Sequence, residues 1–170
     1  MERKVDTRIP IIGIMGPGED ATKTDVAVAR IAGEVVSESG YILLTGGRDC
    51  GVMEAAMKSA KASGGKTVGI LPDANKERMS QYVDIPIVTG IGNARNIINI
   101  LTSDVIIAIG KGPGTFSEIA LAVKNKKPII VLNSSKEFLK FLGQFSNSNI
   151  YFLTDPNKNY LTDILRKIFN

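Results

Sequence analysis

The sequence contains no histidine and a single cysteine, Cys50. Without histidine the chain lacks the commonest metal ligand and the commonest base at neutral pH, so acid–base chemistry must come from carboxylates, lysine, tyrosine or Cys50. One cysteine excludes an internal disulfide bond, and Cys50 is interpreted as a small loop residue because no histidine or second cysteine accompanies it. The sequence therefore predicts neither a metal site nor a bound cofactor.

Long hydrophobic segments are also missing. No run approaches the ~20 apolar residues of a membrane span, and the charged stretch 1–8 is followed by no hydrophobic signal region. The net charge of +4 is mild, and the one basic cluster, 124–127, lies where a predicted helix ends and its dipole favours cations. We expect a soluble, cytoplasmic protein with neither a membrane nor a nucleic acid as partner.

The size and apolar pattern indicate an α/β protein. With 170 residues, 44% of them hydrophobic, the chain fits one domain over residues 1–170, with 1–8 as a charged N-terminal arm. Nearly continuous apolar runs alternate with segments of helical periodicity, which is typical of a three-layer α/β/α fold with a mostly parallel sheet. Pro86 places the fourth strand at an edge. Strands are predicted over residues 9–15, 41–45, 67–71, 83–88, 105–109, 128–132 and 151–153.

Three glycine-rich loops follow predicted strands, at residues 16–18, 46–51 and 110–114. In parallel sheets, ligands bind beyond the carboxyl ends of the strands. We therefore expect the three loops to surround one crevice. Their candidate ligand-binding glycines are Gly16, Gly18, Gly46, Gly47, Gly112 and Gly114.

The stretch 107–118 is the most informative in the chain. It ends an apolar run, passes through alternate glycines and begins a helix at Thr115. Small residues allow a ligand to approach the backbone, and the free N–H groups of a helix N-terminus attract anions, which predicts a phosphate site. Thr115 and Glu118 also have the spacing of a capping box, in which each side chain bonds the other's backbone N–H. From local sequence both interpretations stand.

The segment 16–21 matches the dinucleotide pattern G-x-G-x-x-A. That fingerprint needs an acidic residue at the end of the second strand to bind the ribose. Here the second strand runs into Gly46 and Gly47 instead. NAD binding is therefore not predicted.

Two linked motifs resemble the Rossmann-like LOG proteins, long described as possible lysine decarboxylases. The family has an arginine on a helix, then a strand and Pro-Gly-Gly-x-Gly-Thr-x-x-Glu; here Arg95 precedes Glu118 by the family's spacing. The segment 46–53 is similar to the family's earlier Gly-Gly-Gly-x-x-Gly-Leu-Met stretch. The residues of the segment 110–118 that match are Gly112, Gly114, Thr115 and Glu118.

The chain departs from the LOG pattern at several positions. Gly110 replaces the motif's proline, Lys111 its second glycine, Arg48 the third glycine of the earlier loop, and Asn96 the lysine after the arginine. The segment 93–96 also resembles a LOG-like subgroup that includes molybdenum cofactor carrier proteins, which bind a pterin-phosphate cofactor without cleaving it.

The resemblance implies two alternative functions. As a nucleoside 5′-monophosphate phosphoribohydrolase, the protein would use Glu118 to stabilise the oxocarbenium-like transition state and activate water. Arg95 would hold phosphate or ribose, the N–H groups of 112–115 would cradle the phosphate, and Arg48 or Lys111 would add charge. As a carrier or sensor of a phosphorylated ligand, it would use the same crevice with Glu118 only capping its helix.

Two further expectations concern surfaces. The polar segment 72–80 is a surface loop that could act as a lid. The resemblance implies a homodimer or larger assembly, for which the apolar helix predicted at 93–102 is a candidate contact. Its predicted buried stripe is Ala94, Ile97, Ile98 and Leu101, and Arg95 and Asn99 share another face.

Overall fold

The computed structural model describes residues 8–145, 149–154 and 156–169. Seven strands form one sheet in the order β4-β3-β2-β1-β5-β6-β7, and every pairing is parallel. The fold class is therefore confirmed, and the sheet is parallel throughout. The strands are β1 (Ile11–Met15), β2 (Ile42–Thr45), β3 (Thr67–Leu71), β4 (Ile85–Val88), β5 (Val105–Ile109), β6 (Ile129–Leu132) and β7 (Ile150–Leu153).

Helices cover both faces of the sheet. One apolar cluster joins the sheet to α1 (Lys23–Glu38), α2 (Gly51–Ala62) and α6 (Lys158–Phe169). A second cluster joins the other face to α3 (Asn96–Thr102), α4 (Pro113–Lys124) and α5 (Lys136–Leu142). The continuous apolar run of β5 is explained by this arrangement. Its residues alternate between the two clusters: Val105, Ile107 and Ile109 belong to the first, and Ile106 and Ala108 belong to the second. Successive side chains of a strand point to opposite faces, and here both faces are buried.

Most predicted elements are present, with boundaries shifted by one or two residues. The third and fifth strands have the predicted limits, and the strand containing Pro86 lies at the edge of the sheet. α1 is capped by Thr22 and Asp25 in a capping box, and Gly40 follows its end with φ of 76°. Short 3₁₀ helices, Gly92–Arg95 and Gly143–Phe145, precede α3 and follow α5.

The predicted buried stripe of the helix at 93–102 is wrong. Leu101 is 54% exposed, whereas the buried residues of this region are Arg95, Asn99 and Ile100. Arg95 and Asn99 do share a face, as their spacing predicted. That face is turned inward because Arg95 lines a crevice and Asn99 donates to Glu118 of α4, and the apolar residue Leu101 is left outside.

Among the helices of the described ranges, none combines the length and the hydropathy needed to cross a bilayer.

Candidate functional site

A crevice of about 510 Å³ lies at the carboxyl ends of the central strands. The chain runs outward from β1 to β4 on one side and from β5 to β7 on the other, so strand order reverses between β1 and β5. That reversal opens a cleft in α/β sheets. As expected, the glycine-rich loops after β1, β2 and β5 all line it. The predicted site residues in its wall are Gly16, Gly18, Gly46, Arg48, Arg95, Lys111, Gly112, Gly114, Thr115 and Glu118.

Gly47 is the predicted site residue that does not line the crevice. It is buried in the turn after β2, with φ of 72°. Its N–H donates to Thr45 Oγ1 over 2.9 Å, and its carbonyl accepts from the N–H of Ser80 over 3.0 Å. The structure therefore places Gly47 in the scaffold of the loop.

The first turn of α4 excludes the predicted capping box. The helix begins at Pro113, not at Thr115, and its N-cap is Gly112, without a side-chain cap bond. Proline is well accepted at the first helical position because its missing N–H would be unpaired there anyway. Thr115 therefore lies inside the helix, 2% exposed, and its Oγ1 has no hydrogen-bond partner among the described residues. Its hydroxyl is left available to a ligand in the crevice.

Arg95 is buried in the wall of the crevice, with 8% of the residue exposed. Its Nη1 donates to the carbonyl of Ile70 over 2.7 Å, while Nε has no partner among the described residues. Burial lowers the pKa of Arg95, partly offset by the charge of Glu118. The guanidinium is thus fixed at one end by β3 and retains one buried donor.

Glu118 is a buried carboxyl group at the base of the crevice, 7% exposed. Asn99, fully buried, donates from Nδ2 to Glu118 Oε1 over 3.2 Å. Among the ion pairs of the described residues none involves Glu118 within 4 Å. Burial raises the pKa of Glu118 to about 7, although the hydrogen bond from Asn99 and the charge of Arg95 both act to lower it. The group can therefore exist in either protonation state near neutral pH.

Sequence reasoning assigned no function to Asn99, although it placed Asn99 on the same helix face as Arg95. That shared face was the available signal. What could not be read from the sequence was the partner, because Glu118 belongs to another helix. Asn96, the neighbour of Arg95, also links the two helices: its Nδ2 donates to Ser117 Oγ over 3.0 Å.

Two charged residues that sequence reasoning did not assign to the site, Arg78 and Glu19, also line the crevice. Arg78 lies in the wall and pairs with Glu19, which lies in the loop after β1, over 2.8 Å. Arg48 pairs with Asp73 over 3.1 Å. The backbone adds a further contact, since the carbonyl of Arg78 accepts from the N–H of Asp49 over 3.1 Å. Together these contacts join the segment 72–80 to two of the glycine-rich loops.

The loop after β5 explains one departure from the LOG pattern. Gly110 has φ of 71°, which proline cannot adopt. A β-carbon there would overlap the carboxylate of Asp25. That carboxylate is 3% exposed and accepts from Thr22 and from Asn133 Nδ2, the latter over 2.6 Å. Glycine is required at position 110 because α1 and β6 meet there.

Cys50 lines the crevice at the N-cap of α2. Burial raises the pKa of its thiol, so the reactive thiolate is disfavoured. In the described part of the chain there is no group of three or more cysteine, aspartate or glutamate residues that could hold a metal ion.

The SLOG cluster4 family model matches residues 9–160 of this sequence. The chain belongs to this family. An uncharacterised protein of Archaeoglobus fulgidus is 44% identical over 121 residues, which is 71% of this chain and 78% of the relative.

Two solved structures share both the fold and much of the sequence. The molybdenum cofactor binding protein of the phototrophic bacterium Rippkaea orientalis is 48% identical, with a TM-score of 0.91, covering 96% of this chain and 99% of that protein. The molybdenum cofactor carrier protein of Chlamydomonas reinhardtii is 42% identical, with a TM-score of 0.87, and the match covers 95% of this chain and 98% of that protein. Both are small-molecule binding proteins by their names, and this SLOG cluster4 protein is similar to them over almost its whole length.

Proposed function

We propose that this protein is a carrier for a phosphorylated pterin of the molybdenum cofactor type and binds it in the crevice between β1 and β5. The observation that carries the proposal is the similarity to two molybdenum cofactor proteins over almost the entire chain. In this proposal the protein works in the cytoplasm as a homo-oligomer.

The geometry of α4 supports a phosphate at its N-terminus. A β-carbon added to Gly112 or Gly114 would meet no described protein atom within 4 Å, so the adjacent space is open to a ligand. The first N–H groups of the helix are unpaired within it and favour an anion. Thr115 adds a buried hydroxyl that has no hydrogen-bond partner among the described residues, and Lys111 adds positive charge in the crevice wall.

The carrier proposal is tested by transfer of the cofactor from a donor molybdoenzyme. The donor is denatured in the presence of the purified protein, and molybdenum and oxidised pterin are measured in the protein peak after gel filtration. We expect both to elute with the wild type in near-equal amounts, and Thr115→Val with Lys111→Ala to reduce them together. A peak without pterin in the wild type would contradict the proposal.

A second candidate is hydrolysis of a nucleoside 5′-monophosphate, favoured by one observation. Glu118 is buried beside Arg95 with a pKa of about 7, which suits a general base at neutral pH. The carboxylate would deprotonate water for attack on the anomeric carbon while Arg95 binds the phosphoribosyl group, releasing free base and ribose 5-phosphate.

This second candidate is tested with a panel of nucleoside 5′-monophosphates and chromatographic measurement of free base. If Glu118 is the base, Glu118→Gln should reduce kcat by about 10²- to 10⁴-fold. No release from any nucleotide by the wild type would reject hydrolysis and leave the carrier proposal in place.

The proposed assembly has a candidate contact surface at the helix that carries Arg95. Leu101 is 54% exposed and Ile91 is 48% exposed on its outer side. Sedimentation velocity should show a species larger than the monomer, and Leu101→Lys should shift it to lower mass. A wild-type protein that sediments only as a monomer would refute this assembly.

A further inference from the structure

The buried part of the crevice holds a carboxyl group, that of Glu118, which offers hydrogen-bond acceptors and negative charge. Glu118 accepts one bond from Asn99 over 3.2 Å, and the described ion pairs include none to its carboxylate. Arg95 is the charged group that acts on Glu118, but its Nη1 donates to the carbonyl of Ile70 and not to the carboxylate. A buried carboxylate with so few donors is costly unless a ligand supplies more.

This arrangement constrains the orientation of a phosphorylated ligand. A phosphate next to Glu118 would place two anions together in a poorly solvated space. The N-terminus of α4, with Lys111 beside it, suits the phosphate instead. Pro113 is the first residue of α4 and Glu118 its sixth, which separates them by about 7.5 Å along the helix axis. The part of the ligand that reaches Glu118 is therefore a different group, and it must donate hydrogen bonds.

We propose that Glu118, oriented by Asn99, binds the 2-amino-4-oxopyrimidine edge that pterins and guanine have in common. This edge carries a ring N–H and an adjacent amino group. The two donors match the two oxygens of a carboxylate in parallel bonds, as a guanidinium group does. The proposal rests on the proposed function, because it requires a phosphorylated ligand in the crevice.

Apolar side chains in the wall of the crevice suit a flat ring. Met15, Met53 and Pro17 line the crevice together with Glu118. Methionine side chains adapt their shape and make favourable contacts with aromatic rings. Asn99 holds Oε1 from behind, so the carboxylate is fixed before the ring arrives. A preorganised acceptor loses less conformational freedom when the ligand binds.

The test compares guanosine 5′-monophosphate with inosine 5′-monophosphate, which lacks only the 2-amino group. Affinities are measured by isothermal titration calorimetry at pH 8, where Glu118 is ionised, for the wild type, Glu118→Gln and Asp163→Asn. The last is a matched control, an exposed residue of α6 on the opposite face of the sheet. We expect the wild type and Asp163→Asn to bind the guanine nucleotide about 10-fold or more tightly than inosine 5′-monophosphate. In Glu118→Gln the ratio should fall below about 3-fold.

Equal binding of the two nucleotides by the wild type would overturn the proposal. This outcome needs only the wild-type protein, so it holds even if a variant fails to fold. A preference that persists in Glu118→Gln would also overturn it, as would release of free guanine dependent on Glu118. Inorganic phosphate is then added as a competitor of the nucleotides. Its effect separates failure of the edge recognition from failure of the proposed function. If both nucleotides bind equally and phosphate displaces them, only the edge recognition fails. If neither nucleotide binds, the edge recognition fails, whereas the proposed function is decided separately by the transfer of the cofactor from the donor molybdoenzyme.

Discussion

The guanidinium of Arg95 lies directly against the backbone of Gly46. A β-carbon at position 46 would overlap both terminal nitrogens of the arginine. Nη1 also donates to the carbonyl of Ile70 over 2.7 Å. The glycine after β2, the end of β3 and the arginine before α3 thus form one packed unit in the wall of the crevice.

This packing predicts strong coupling between positions 46 and 95. Gly46→Ala should lower the free energy of unfolding by about 1–3 kcal/mol through overpacking. Arg95→Ala should lower it by about 1–3 kcal/mol because the Ile70 carbonyl loses its donor. In the double variant the alanine methyl group no longer meets the guanidinium, and only the flexible side chain of Met53 still has to move. The combined loss should therefore fall short of the sum by about 1 kcal/mol or more. Urea denaturation of all four proteins gives the coupling, and simple additivity would contradict the contact.

The ionisation of Glu118 should make stability depend on pH. Burial raises its pKa from the ordinary value of 4.5 to about 7 in the folded protein. The folded state therefore binds this proton more tightly, so the group's stabilising contribution is complete below about pH 4.5 and is lost as pH rises towards 7. Glu118→Gln removes the titration and keeps an amide that can bond Asn99.

The difference in unfolding free energy between Glu118→Gln and wild type should therefore shift in favour of the variant by up to about 3 kcal/mol from pH 5 to pH 8. Urea denaturation at several pH values measures it. Other titrating groups are present in both proteins and cancel in the comparison. A difference that stays constant with pH would mean that the carboxyl group has an ordinary pKa.

Thr115→Val should separate stability from binding. The hydroxyl of Thr115 is buried and without a partner in the described structure, so replacing it by a methyl group of similar shape should leave stability unchanged or slightly higher. Affinity for a phosphorylated ligand should fall by about 10-fold. Thr115→Ser, which restores the hydroxyl, should recover most of that affinity. If Thr115→Val binds as well as wild type, the hydroxyl does not contact the ligand.

Asp25 should be a major stabilising residue of the loop region. Its carboxylate accepts from the N–H and Oγ1 of Thr22 and from Asn133 Nδ2, over 2.9, 2.7 and 2.6 Å. Asp25→Ala should therefore cost about 1–3 kcal/mol by losing the helix cap and the three hydrogen bonds to its carboxylate. Asp20→Ala, an exposed neighbour, should change stability by less than about 0.5 kcal/mol. Thermal denaturation compares them, and equal effects would show that the buried bonds contribute little.

Local sequence was sufficient for the architecture because each strand is apolar enough to be buried on both faces. β5 is an example: its five residues are all buried, and its limits were predicted without error. Pro86 correctly indicated an edge strand: proline has no backbone N–H to donate, and only an edge strand has a side on which no hydrogen bond is needed. The glycine-rich ends of β1, β2 and β5 predicted a common crevice because parallel strands end on the same side of the sheet.

The start of α4 was misjudged for a local reason. Thr115 and Glu118 match a capping box, but the neighbouring Gly112 and Pro113 allow the helix to begin two residues earlier. The helix at 93–102 was misjudged for a tertiary reason. Its apolar residues satisfied the periodic pattern, yet the face turned towards the protein carries Arg95 and Asn99 because the crevice lies there.

The sequence by itself determined the order of elements, the parallel sheet and the position of the crevice, since these depend on periodicity and on glycine and proline at known places. Only the tertiary structure decided which polar groups meet. Asn99 reaches Glu118 from another helix, and Arg95 bonds the end of β3 through the space left by Gly46. Such contacts depend on how separate elements pack and on the burial that packing creates, and burial is what moves the pKa of Glu118 to about 7.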